Sequence, residues 1–268
     1  MANSINTNAG ALIALQNLNN TSRDLSITQN RVNTGQKVSS AKDNGAIFAI
    51  ATNQRAEMGA LDAVKQSMQR GQSIVDVALA AGETITKALE EQKSLAVAIE
   101  SSVAGSAAET AYLADFNALG NEITKALGGA TFDGVNLFST AAADIQVKTG
   151  TGATDLFTLK ATGAATAVAT AGGSILRAGA TAAAVDTALK GFTAELGALG
   201  TKSKSLERSL SFTSKMQDAL EVGVGNLVDA DLAKESARLT ALQTKQQLGV
   251  QALSIANQSS SVLLGLFR

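Results

Sequence analysis

Apolar and polar residues alternate with a helical period at both ends of this chain. Near the N-terminus Leu18, Leu25 and Val32 recur every seven residues, and Ile5 and Leu12 make the same step earlier. Near the C-terminus one seven-residue row runs Leu232, Leu239, Gln246, Leu253, Ser260, Phe267, and a second runs Val228, Glu235, Leu242, Gly249, Ala256, Leu263. Steps of three and four alternate between the rows, which is the a/d stripe of a coiled coil. The stripe is interrupted, because Glu235, Gln246, Gly249 and Ser260 stand at seam positions. An isolated pair of such helices would be weak.

The faces opposite the seam are short of charge. Between Leu239 and Phe267 the only charged side chain is Lys245, and polarity comes from residues such as Gln243, Gln247, Gln251 and Gln258. Met1 to Ser22 carries no charged side chain. A helix facing bulk water ordinarily displays Lys and Glu. Uncharged amides and hydroxyls fit a face enclosed in an assembly, or one lining a wet and electrically neutral passage.

Between the ends, Ala46 to Val103 reads as one long helix and Ala107 to Leu127 as a second, stopped by Gly128-Gly129. Asp144 to Lys148 alternates in period two, Thr149-Gly150-Thr151-Gly152 supplies a turn, and Leu156 to Leu159 follows, which predicts a small β-hairpin within about 131–160. A low-complexity Ala/Thr/Gly stretch within about 161–179 reads as a loop. Ala180 to Val222 returns to helix. The expected fold is mainly α: a long helical rod with terminal coiled-coil helices and a small β-hairpin insert.

Composition sharpens this picture. The chain is 45% hydrophobic but only 3% aromatic and contains no proline. An Ala- and Leu-rich chain favours helices that approach closely, and a single internal proline would cost a helix about 3 kcal/mol. A net charge of −1 gives no electrostatic case for nucleic acid or an anionic membrane as partner. The apolar run Ala11 to Leu15 is too short to span a bilayer and lacks the flanks of a signal peptide, so no membrane insertion and no cleaved signal peptide are expected.

Catalytic chemistry is poorly provided for. With no histidine and no cysteine, the commonest general base, thiol catalysis and structural zinc are missing. No phosphate-binding glycine motif or nucleophile elbow occurs. Asp229 and Asp231 could be imagined as a cation site, yet two carboxylates near a helix start more often complement its dipole. Thr201 with Lys204, and Ser211 with Lys215, match hydroxyl–amine dyads by spacing alone. No enzyme, no cofactor and no metal are expected.

The terminal strings carry a family resemblance. Ser4-Ile5-Asn6-Thr7-Asn8, followed by Ala9 to Leu18, resembles the N-terminus of bacterial flagellins, and Arg31 to Val38 with Ser40 to Ala46 resembles their next block. Asp229 to Glu235, Gln247 to Leu253 and Ala256-Asn257-Gln258 resemble their C-terminal helix. Thr131 to Phe138 is similar to the turn that precedes their hairpin, and the ending Leu263 to Arg268 is similar to the short alphaproteobacterial kind. The resemblance spans the first 140 residues or so and the last 90 or so, in order.

It implies a structural subunit that polymerises into the bacterial flagellar filament for motility, secreted and extracellular. An inner domain would join residues 1–42 to 228–268 and line the central channel; a second, 43–227, would carry the rod and hairpin, with large outer variable domains missing. The polymerisation seam would be Ile5, Leu12, Leu18, Leu25, Val32, Val228, Leu232, Leu239, Leu242, Leu253 and Leu263. Gln243, Gln247, Gln251 and Gln258 are the candidate channel-facing residues. Implied partners are further copies in an open helical homopolymer, cap and hook-associated junction proteins, the flagellar type III export apparatus and an export chaperone. A hook–filament junction protein is the alternative function. Ordering some 40 residues at each end costs about 1–2 kcal/mol per residue, so ends with a weak seam are expected to fold on assembly.

One segment departs from the family. Flagellins detected by the vertebrate innate immune receptor carry an Arg-rich stretch ending in Arg-Glu-Leu-Ala-Val. Here the corresponding segment includes Glu91, Lys93 and Ser94, with Glu91 at the Arg position and Ser94 at the Glu position. Reversing a charge at a bidentate site is a large change, and weak receptor recognition is expected.

Overall fold

The computed structural model describes residues 8–139, 144–160 and 175–265, with side chains up to residue 258 in the last stretch. Among these lie five helices: α1 Ala9–Thr34, α2 Gly45–Ser101, α3 Ala107–Gly129, α4 Ala182–Val228 and α5 Leu232–Gly265. Two antiparallel hairpins stand between α3 and α4. The first pairs β1 Thr131–Phe132 with β2 Val135–Asn136; the second pairs β3 Ile145–Lys148 with β4 Leu156–Leu159. The fold is mainly helical with a small β insert. Ile5, the side chain of Leu263 and residues 161–174 of the expected loop lie outside the described residues.

Short polar side chains define the helix starts. Asn8 Oδ1 accepts from Ala11 N–H at 3.0 Å to open α1, and Asn44 Oδ1 accepts from Ala46 and Ile47 N–H to open α2. Each satisfies donors that a helix leaves unpaired. At α3, Ser106 Oγ accepts from Glu109 N–H while the Glu109 carboxylate reaches back to Gly105 N–H, a reciprocal cap. Gly35 ends α1 at φ +69°, the left-handed conformation glycine adopts at least cost. In the loop that follows, backbone and hydroxyl hydrogen bonds, first from Ser40 and then from Ser39, hold the Asp43 carboxyl below its ordinary range.

The second hairpin forms in the expected stretch, with Val147 opposite Phe157 and Ile145 opposite Leu159. The first hairpin stands where only a turn was expected. Asp133 and Gly134 both have positive φ, 51° and 74°, as a two-residue turn matching the twist of its strands requires. Two helices outrun their glycines: α3 reaches Gly129, and α4 passes Gly223 and Gly225 to reach Val228. Packing explains the second case, because Val224 and Val228 are buried with Ala51.

The described residues divide into two compact units. One draws on both chain ends, up to Ala56 and from Ala219; the other is Glu57–Asp218. The central unit is filled by a few rings and many branched chains. Phe116, Phe138 and Phe192 are each 1% exposed, and the rings of Phe138 and Phe192 lie 5.5 Å apart, tilted. Gln92 is buried among them and donates to the Phe116 carbonyl at 2.9 Å. A Cβ on Gly71 would lie 2.6 Å from Val147 Cγ2, so glycine lets α2 receive the hairpin.

One residue fastens the chain just before α4. Arg177 pairs with the largely buried carboxylate of Glu109 at 3.2 Å and donates to the Ser102 carbonyl at the end of α2. Nearby, the Asn117 side chain both accepts from Ile175 N–H and donates to its carbonyl.

Candidate polymerisation interface

The terminal unit is built around α1 and α5. As the chain advances along α1, its partner residues on α5 run backwards. Asn8 Nδ2 donates to the Ala256 carbonyl at 2.7 Å, a Cβ on Gly249 would sit 3.2 Å from Leu18 Cδ1, and Arg31 pairs with Glu235 at 3.1 Å. The helices are therefore antiparallel. Past Gly35 the chain is stitched to the α4–α5 junction: Lys37 and Val38 N–H both donate to the Val228 carbonyl, and Ala230 N–H donates to the Gly35 carbonyl. Gln36 and Asp229 form an isolated antiparallel bridge.

The seam of α5 follows the two seven-residue rows. Leu242 is buried, and Glu235, Leu239, Gln246, Gly249, Leu253 and Ala256 are half-buried. On α1, Leu25 is buried and Leu18 and Val32 are half-buried. Two expected seam residues stand elsewhere in the single chain: Leu12 is 61% exposed and Leu232 49%. Leu12 precedes Leu18 by six residues, so the row from Ile5 and Leu12 continues to the exposed Asn19 and is about 100° out of phase. Leu232 opens α5 beyond Glu235, where the pair ends. Val228 is buried in the small core with Ala51 and Val224.

Sequence patterning missed three participants. Thr21 and Thr28 are buried at 4% and 1%, filling the second row of α1 that an apolar search passes over. Thr21 Oγ1 donates to the Asn17 carbonyl at 2.8 Å and so enters the seam with its hydroxyl satisfied. The third is Arg31, which neutralises Glu235. That carboxylate side chain is 12% exposed, and its second oxygen and Arg31 Nε have no hydrogen-bond partner among the described residues. The pair fixes register more than it adds stability. Gln243, Gln247, Gln251 and Gln258 lie on exposed positions of α5, clear of the seam.

Of the aspartates considered for a cation, Asp231 caps α5, its Oδ1 accepting from Ala233 and Lys234 N–H, while Asp229 meets Gln36 through a backbone bridge only. Thr201 Oγ1 donates to the Gly197 carbonyl within its own helix.

Beyond the seam the pair leaves apolar surface bare. Ile13, Leu15 and Ile27 on α1, with Leu248, Val250 and Ile255 on α5, are all exposed.

Residues 5–143 match the bacterial flagellin N-terminal helical region, and residues 182–267 match the bacterial flagellin C-terminal helical region. The chain belongs to the flagellin family. It is 52% identical to flagellin FljM of Caulobacter vibrioides, with 99% of each chain covered. It is 37% identical to a flagellin of Brucella melitensis, again with 99% of each covered. A crystal structure of Bacillus cereus flagellin aligns with 65% of this chain and 94% of that chain, at TM-score 0.36 and 17% identity. This flagellin is a structural subunit of the bacterial flagellar filament. Members of its family form the extracellular part of the flagellum.

Proposed function

We propose that the antiparallel α1–α5 pair of this flagellin is its inner polymerisation element, drawn from residues 1–42 and 228–268, and that neighbouring subunits complete it. The observation that carries this is the mismatch between its two surfaces. The seam is diluted by Thr21, Thr28, Gln246 and Gly249, while Ile13, Leu15, Leu248 and Ile255 stand in solvent. Fully burying one such side chain contributes about 1.5–3 kcal/mol. The surface that would stabilise the helices is thus the surface a single chain cannot cover. Gln243, Gln247, Gln251 and Gln258 face the channel in this reading, where neutral amides give a passing chain no fixed charge to bind.

An open helix follows from unlike surfaces joining head to side, a contact that never closes. Addition beneath a cap protein, docking on hook-associated junction proteins, and delivery by a chaperone and the type III export apparatus belong to the same proposal. Its catalytic role is none.

Circular dichroism of monomer and polymer tests the central claim. Helix content should rise on polymerisation by roughly the length of α1 and α5. Equal helicity in both states would sink the idea.

A further inference from the structure

Two features of the central unit, residues Glu57–Asp218, are complementary. The first is a cleft of about 480 Å³ between α2 and α3, lined by Glu91, Ser94, Leu95, Asp115, Ala118 and Leu119. Leu95 and Leu119 are half-buried, and Glu91 and Asp115 are exposed. Neither carboxylate belongs to an ion pair among the described residues. The open cleft thus sets two half-buried leucines beside two acids that join no ion pair among the described residues.

The second is the outer face of α4. Phe212 is 66% exposed, whereas Phe116, Phe138 and Phe192 are fully buried. A single exposed ring is ordinary on a protein surface. This one has Arg208 four residues before it and Lys215 three residues after, both exposed and neither in an ion pair among the described residues. Residues at these spacings share a helix face, and Leu206 and Thr213 turn into the core from the other side. The stripe is thus one ring between two cations, along roughly two turns of helix.

We propose that the Arg208–Phe212–Lys215 stripe of one subunit docks in the Glu91–Asp115 cleft of a second copy of this chain. Phe212 enters the slot between Leu95 and Leu119, and the cations meet the two carboxylates. Opposite signs on the two surfaces disfavour cleft on cleft and stripe on stripe, so the contact is heterologous and propagates. Glu91 has a positive part here: the acid that replaces the family's Arg gives the cleft its sign. The inference rests on the chain being a filament subunit and not on the terminal pair being channel-lining.

Charge exchange in the full-length chain provides the test, read by sedimentation of polymer. Glu91→Lys with Asp115→Lys, and separately Arg208→Glu with Lys215→Glu, should each raise the concentration needed to polymerise by tenfold or more. An equimolar mixture of the two variants, or all four changes in one chain, should recover most of the loss. Variants that polymerise like the parent overturn the proposal, and so do losses that neither combination repairs. Because the chain has no cysteine, Ser94→Cys with Ser211→Cys gives an independent readout. Mild oxidation of filaments should yield a ladder of linked subunits, while the monomer stays unlinked. A monomer that links internally, or filaments without a ladder, also overturn it. Both readouts bear on the central unit alone, so they separate this contact from a failure of the terminal helices to refold on assembly.

Discussion

Asp186 lies between Lys190, one turn further along α4, and Lys93 of α2, at 2.6 and 2.5 Å. Hydrogen bonds from Lys190 and then from Lys93 draw its carboxyl from 3.8 down to about 2, and the same contact raises Lys190. A depressed folded value means the stabilisation is complete above pH 3.8 and disappears as pH falls toward about 2. Thermal unfolding of the monomer should therefore weaken over that window. Asp186→Asn should flatten that part of the profile relative to the parent; superimposable profiles would show that the contact is not formed in solution. Half of this contact is open to pattern reading, since Lys190 stands four residues after Asp186 on one helix face, while Lys93 meets it only once α2 and α4 are packed. Gly71 is similar. Its sequence context reads either as a tolerated weak point in a helix or as a close-contact site, and the packing of Val147 of the hairpin decides for the second.

The helices themselves were legible. Ala-rich, proline-free stretches and the seven-residue rows mark the helices, and the period-two run marks β3 and β4. What escaped was whatever depended on packing rather than periodicity. The extension of α4 past two glycines needs Ala51 as a partner, and the first hairpin is set by two positive-φ residues. Threonines fill one row of the α1 seam. Arg31 and Glu235 belong with these, because a charge at a seam position counts against a coiled coil until its partner is found 204 residues away. Glu235→Ala should lower filament stability by about 1–3 kcal/mol, the cost of leaving a partly buried polar group unsatisfied. Arg31→Met together with Glu235→Leu should restore most of it, because an apolar pair of similar size avoids the desolvation cost. Thermal depolymerisation of filaments measures both. Equal losses in the single and double variants would mean the ionic pair does more than set register.

For the whole molecule, the departure at Glu91 and Ser94 bears on recognition by a host as well as on assembly. Both residues are exposed and Lys93 is half-buried and paired with Asp186, so the segment presents an acid where a receptor built for a guanidinium expects a planar donor. Purified monomer should give a weak response in a receptor reporter assay, and Glu91→Arg with Ser94→Glu should raise it. A strong response from the parent chain would refute this. The fastening around Arg177 has a different consequence. Arg177 is held by Glu109 and by the end of α2, Ile175 is held on both sides by Asn117, and Leu159 is fully buried at the end of β4. Residues on either side of 161–174 are thus tied to the same compact unit. That is the arrangement of a mounting point. A foreign peptide spliced between residues 160 and 175 is therefore expected to leave these ties in place; thermal unfolding of such a full-length variant should match the parent's, and a clear loss of stability would show that the ties need the native stretch.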